Sequence, residues 1–153
     1  MSNGGFDIGH WSIAAVPGNW EPVGGNAICQ LSESLPQCSL VVLEEPIEDG
    51  LLLEQYVKKQ LELMKEELGQ VDAEAQQAVA VRNADEAIRL VLHRTGDDDE
   101  IIFQCQIYAR SGKLVGVATL TVLQDQLPLV RQDLERIVGG LSFSAVSPGS
   151  TAQ

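Results

Sequence analysis

The apolar positions change period several times along the chain, and each change predicts an element. Trp11 to Val16 alternates loosely and stops at Pro17-Gly18, as a short strand ending in a turn does. Ala27 to Leu31 and Cys38 to Leu43 are β-rich runs separated by Ser-Glu-Ser-Leu-Pro, which predicts two neighbouring strands. From Leu51 to Leu68 the period becomes that of a helix, and Gly69 supplies its stop. At steps of about 100° per residue, Leu52, Tyr56, Val57, Leu61, Leu63, Met64 and Leu68 fill an arc of about 180°, with the charged residues opposite. Gln60 falls near the middle of that apolar arc.

Gln76 to Arg82, Glu86 to Arg94, Ile101 to Arg110 and Leu114 to Leu123 then read as four consecutive strands. Their connections are rich in Asn, Asp, Gly and Ser, which favours an antiparallel meander over parallel crossovers. A last helix begins near Leu127 with Pro128 in its first turn. It carries the stripe Val130, Leu134, Ile137, Val138 and Leu141, and stops at Gly139-Gly140. Ser142 to Val146 adds a closing strand. The predicted fold is α+β: an antiparallel sheet of about six to seven strands with two main helices packed on it. One domain spans 6–146, and the ends 1–5 and 147–153 read as flexible tails.

Composition narrows the partners. Over 153 residues the chain carries 22 acidic and 10 basic side chains, a formal charge of −12. That field repels phosphates, so nucleic acid and anionic membrane surfaces are poor partners. The longest nearly apolar run, Leu114 to Leu123, is too short to span a bilayer, and the N-terminus lacks the cationic and apolar regions of a secretory signal. Cytoplasmic localisation without stable membrane insertion is expected. Cys29, Cys38 and Cys105 form an odd set without a Cys-x-x-Cys pair, so they read as reduced packing thiols.

The catalytic inventory is thin. His10 lies near the chain end, and His93 sits on a strand sharing a face with Arg89 and Val91. No residue spacing matches a zinc site, and Asp97 to Glu100 lacks the graded spacing of a calcium loop and reads as a solvated hairpin tip. No phosphate-binding or hydrolase motif is present. The expectation is a protein that is not an enzyme and needs no metal or cofactor. A hydrolase would require His93 to meet Cys105 or an acid.

A mixed sheet face stands out instead. The strand from Ile101 presents Phe103, Cys105, Ile107 and Ala109 on one side and Gln104, Gln106 and Tyr108 on the other. The next strand adds Val115, Val117, Thr119 and Thr121 to the second side, and Ser39, Val41 and Leu43 continue it. Two readings fit: an ordinary solvated face, on which Gln and Thr are common, or a surface for an apolar partner. Gln60 requires a hydrogen-bond partner, either internal or on a bound segment, because an unpaired buried carboxamide costs about 1–3 kcal/mol.

Four segments carry a family resemblance: Pro17-Gly18-Asn19-Trp20, the helix Glu54 to Glu62, the strand Gln106 to Arg110, and Asp133 to Phe143. In these the chain resembles the DcrB-like branch of the PsbP superfamily, which implies an α/β/α sandwich. Its cytosolic members resemble the Eag (effector-associated) chaperones of bacterial type VI secretion. Those are homodimers that hold the hydrophobic N-terminal transmembrane helices of effectors in an apolar groove before export. The resemblance implies that Gln60 and Gln106 are groove amides, joined by Ser39, Met64 and Leu68. Gln104 and Val41 complete the expected partner-binding set from the strand pattern. The acidic turn Asp97 to Glu100 departs from the family pattern. The alternative is a PsbP-like module that binds a small ligand or a protein without catalysis.

Overall fold

A computed structural model of the chain describes residues 2–3, 6–14, 16–17, 20–23, 27–30, 38–96 and 98–145. The strands before the first helix are β1 (Ser2–Asn3), β2 (Phe6–Ile8), β3 (Trp11–Ile13), β4 (Val16–Pro17), β5 (Trp20–Val23), β6 (Ala27–Gln30) and β7 (Ser39–Pro46). Helix α1 (Leu53–Leu68) follows, then β8 (Val71–Ala73), β9 (Gln77–Val79), β10 (Glu86–Thr95), β11 (Ile101–Ser111) and β12 (Leu114–Leu123). A 3-10 turn at Gln124–Gln126 leads into α2 (Leu127–Gly139), and β13 (Leu141–Phe143) closes the described chain.

The main sheet has eight strands: seven run in the order β5-β6-β7-β12-β11-β10-β8, and β9 pairs β10 beside β8. Every pairing in it is antiparallel. A second sheet, β13-β3-β2, joins the two ends of the domain. Helix α1 packs on one face of the main sheet, while α2 and the small sheet pack on the other, giving the α/β/α arrangement with a separate core on each side.

The larger core combines Leu40, Val42, Phe103, Ile107 and Leu120 of the sheet with Val130, Leu134 and Ile137 of α2 and Trp11, Ile13 and Phe143 of the small sheet. Gly116 makes that last contact possible. A Cβ placed there would lie 2.4 Å from the Phe143 ring and 2.6 Å from the Trp11 indole nitrogen. The smaller core sets Leu53, Tyr56 and Val57 of α1 against Leu90, Leu92, Tyr108 and Val115.

Several boundaries differ from the sequence pattern. The strand expected over Trp11 to Val16 ends at Ile13, because Ala14 donates its N–H to Gly140 O at 2.9 Å. The strand expected from Gln76 keeps only Gln77–Val79. Val81 turns inward there, and Arg82 forms a parallel bridge to Ser142. The closing strand is Leu141–Phe143 rather than Ser142 to Val146, since its pairing to β3 ends at Trp11. Strand β8 escaped the pattern because it is three residues long and only Val71 is buried. Ser2 and Asn3 pair with Pro17 and Val16. The C-terminal segment 147–153, the Ser-Glu-Ser-Leu-Pro loop and Asp97 lie outside the described residues.

Candidate functional site

Antiparallel pairing puts side chains into transverse rows on the α1 face. One row holds Ser39, Thr121, Gln104 and Leu92; the next holds Val41, Thr119, Gln106 and Leu90; a third holds Leu43, Val117, Tyr108 and Ile88. Helix α1 covers these rows unevenly. It packs against β8, β10 and β11, so the β12 and β7 ends lie beyond its flank. Leu90, Leu92 and Tyr108 are accordingly buried, whereas Ser39, Val41, Val117, Thr119 and Thr121 keep partial exposure and Leu43 is 61% exposed.

Between the flank of α1 and the open strands lies a cavity of about 410 Å³. Tyr56, Gln60 and Met64 form its helical wall, and Gln106, Val117 and Thr119 lie across from them. The three residues that the resemblance grouped, Gln60, Gln106 and Met64, line this one cavity, because the middle of the helical arc and the central row of the sheet meet there. Val41, Ser39 and Gln104 occupy the same face alongside that cavity. Leu68 is not brought to it; it sits half-exposed in the last turn of α1, whose fully buried residues all fall in its first half.

The two glutamines have different surroundings. Gln106 is only 6% exposed. Its carbonyl accepts a hydrogen bond from the Tyr108 hydroxyl at 2.6 Å, and its amide lies 3.6 Å from the Met64 sulfur. Its partner is internal. A charge at Gln106 would enter the α1 core. Gln60 is half-buried on the cavity wall, and its carboxamide bonds to no other described residue. Gln104 donates to Thr121 Oγ1 at 3.2 Å, so the outer row carries its own amide–hydroxyl pair.

Two tyrosines, which the pattern counted only as apolar filler or face residues, anchor the floor. The Tyr56 and Tyr108 rings meet edge to face, 6.0 Å apart. The Tyr56 hydroxyl donates to Glu45. Burial pushes both phenols above their ordinary range, and the Glu45 carboxylate adds to the effect at Tyr56.

The other candidate groups are placed as follows. His10 is not loose: its backbone N–H donates to Glu44 Oε2 at 2.9 Å, and its Nδ1 pairs with Glu44 Oε1, because β7 lies beside the β2–β3 turn. His93 Nδ1 bonds Gln124 at 2.8 Å, and Nε2 stands 3.7 Å from Glu74. Asp98 to Glu100 form the β10–β11 hairpin tip, where the Glu100 carboxylate accepts the Asp98 N–H at 2.9 Å. Among the described residues no three His, Cys, Asp or Glu side chains gather as metal ligands. Nor is any described helix long and apolar enough to cross a membrane.

Solved structures match this architecture. The crystal structure of PA94 from Pseudomonas aeruginosa, a protein of unknown function, superposes with a TM-score of 0.64 at 15% identity, over 89% of this chain and 92% of that one. The solution structure of CyanoP, the cyanobacterial PsbP of Synechocystis sp. PCC 6803, gives 0.58 at 14% identity over 94% and 91%. The chain has the PsbP-like fold. LpqN of Mycobacterium tuberculosis, involved in cell envelope biogenesis, shares it with a TM-score of 0.57 at 15% identity over 97% and 90%. No protein-family model matches the sequence, and no curated protein aligns with it significantly. Within the PsbP-like fold, the feature to explain is the off-centre position of α1, which leaves a trough of mixed lining, apolar at Leu43, Met64 and Val117 and polar at Glu44, Glu45, Gln60 and Thr119, on a sheet that α2 and the small sheet cover from behind.

Proposed function

We propose that the protein is a cytoplasmic chaperone that shields an apolar helix of a partner, of the kind found at the N-termini of type VI secretion effectors, in the trough between α1 and β7. The observation that carries this reading is the uncovered row Val41–Thr119 and its neighbours Leu43–Val117, beside the Gln60 carboxamide, which bonds to no other described residue. A helix made for lipid satisfies its own backbone groups but exposes apolar side chains and small polar residues. A holder must offer apolar area with a few hydrogen-bonding groups, and Val41, Leu43 and Val117 with Gln60, Thr119 and Ser39 are such a set.

The dimensions favour two protomers per client. From Ser39 to Glu45 the trough measures about 20 Å at roughly 3.3 Å per strand residue, enough for about 13 helical residues. A spanning helix needs about 20 residues, or 30 Å. A homodimer supplies the missing length. The acidic surface keeps empty copies apart from one another and from phospholipid.

The test is co-expression of the full chain with the N-terminal hydrophobic segment of a candidate effector, followed by size-exclusion chromatography with light scattering. A stable complex that Val41→Asp abolishes, with the fold unchanged by circular dichroism, is the expected outcome. Absence of any complex across several such segments would remove the proposal.

A further inference from the structure

The opposite side of the sheet holds a second cavity of different chemistry. It has a volume of about 290 Å³ between β10–β12 and α2. Phe103, Cys105 and Leu120 line it from the sheet, Leu134 and Val138 from the helix, and Arg89 and Arg131 stand in its wall. A neighbouring cavity of about 490 Å³ shares both arginines together with Phe103 and Leu127, and opens towards His93 and Glu74. The two guanidinium groups therefore stand where an apolar interior meets a wider polar entrance.

Arg89 lacks the partners that such a position demands, while Arg131 reaches the entrance from the exposed side of α2. Arg89 projects from β10 into the α2 side of the sheet, and its Nε is fully buried with no hydrogen-bond acceptor among the described residues. Neither Arg89 nor Arg131 takes part in any ion pair among the described residues, although Glu135 and Glu74 also border the cavities. Arg89 lies against the Cys105 thiol, and its charge and a hydrogen bond to the sulfur offset part of the upward push that burial gives the thiol. A thiol is a weak acceptor and leaves the guanidinium unsatisfied. Burying such a group costs free energy until an anion meets it, and a planar carboxylate matches its fork of donors. In a chain with 22 acidic and 10 basic residues, two arginines outside any ion pair among the described residues border one apolar cavity.

We infer that the cavity between β10–β12 and α2 binds a small monocarboxylate with an apolar tail, its carboxylate between Arg89 and Arg131 and its tail against Phe103, Leu120 and Leu134. The volume sits at the lower end of the range of about 300–1,000 Å³ found for small-molecule sites, so the tail is short. This site faces away from the trough and is independent of what the trough holds.

The experiment is a titration of the full isotopically labelled chain with octanoate, followed by backbone amide spectra, with 1-octanol and acetate as separate arms. Octanoate is expected to shift amides near Arg89 in β10 and from Arg131 to Val138 in α2. The alcohol, which lacks the charge, and acetate, which lacks the tail, should each bind about tenfold more weakly or worse. Arg89→Gln and Arg131→Gln should each weaken octanoate by about tenfold or more. Arg131 is exposed on α2, so its variant keeps the test intact if Arg89→Gln fails to fold. Absence of shifts, shifts confined to α1 and β7, equal binding of the alcohol or of acetate, or unchanged affinity in the variants would each overturn the inference. Only the second of these outcomes bears on the trough.

Discussion

The Tyr108 hydroxyl donates to Gln106 Oε1 at 2.6 Å, two residues apart on one strand and beneath one helix. Tyr108 is 1% exposed, so Gln106 provides the acceptor that a buried phenol needs. Replacing Gln106 by Leu strands that hydroxyl and is expected to cost about 1–3 kcal/mol, read as a lower urea midpoint. Adding Tyr108→Phe should recover much of the loss. A double-mutant cycle with no coupling between the two positions would count against the bond.

Alkali supplies a second test. The phenols of Tyr56 and Tyr108 lie above their ordinary value near 10 in the folded chain. The folded state therefore keeps protons that the unfolded state has already lost. Their stabilising contribution is complete below about pH 10 and is lost as pH rises towards the folded values. The slope reaches at most about 1.4 kcal/mol per pH unit for each phenol. Urea melts between neutral pH and pH 11 should show this decline, and Tyr108→Phe should flatten it.

Gly116 sets the spacing between β12 and the small sheet. Gly116→Ala should destabilise the protein by about 1–3 kcal/mol, because Phe143 and Trp11 must both move. The same substitution at Gly139, where a Cβ meets nothing within 4 Å, should not destabilise it. Thermal melts of the two variants give the comparison.

The trough separates binding from folding. Val41→Asp puts a carboxylate on a partly exposed strand position, where the empty protein can hydrate it. Against a bound apolar helix the same charge costs several kcal/mol, so affinity should fall by about two orders of magnitude with little change in melting temperature. Gln106→Asp should instead lower stability sharply, since that side chain is buried. Equal effects of the two substitutions on folding would contradict the lateral position assigned to α1.

Both helices and the hairpin meander from β9 to β12 were legible in the sequence, because each follows from a local period that only one face of an element can satisfy; the meeting of Gln60, Met64 and Gln106 was implied by the family resemblance alone. The sideways placement of α1 was not. Leu63 and Leu68 continue its apolar arc yet remain half-exposed, and no period along a helix states which strands it will cross. The Gln106–Tyr108 bond escaped for a related reason: alternation shows that the two side chains share a face, but the helix above decides that they must satisfy each other. The arginine cavity escaped as well, since Arg89 and Arg131 lie far apart in sequence and meet only through the packing of α2.

The small sheet imposes an order on synthesis. Trp11 to Ile13 pair on one side with Phe6 to Ile8 and on the other with Leu141 to Phe143. A nascent chain must therefore carry its early tryptophan unsealed until the last strand has left the ribosome. The final closure joins positions 130 residues apart, which makes it a long-range, slow contact. Any apolar trough on the other side of the sheet is thus presented by a molecule whose back closes last.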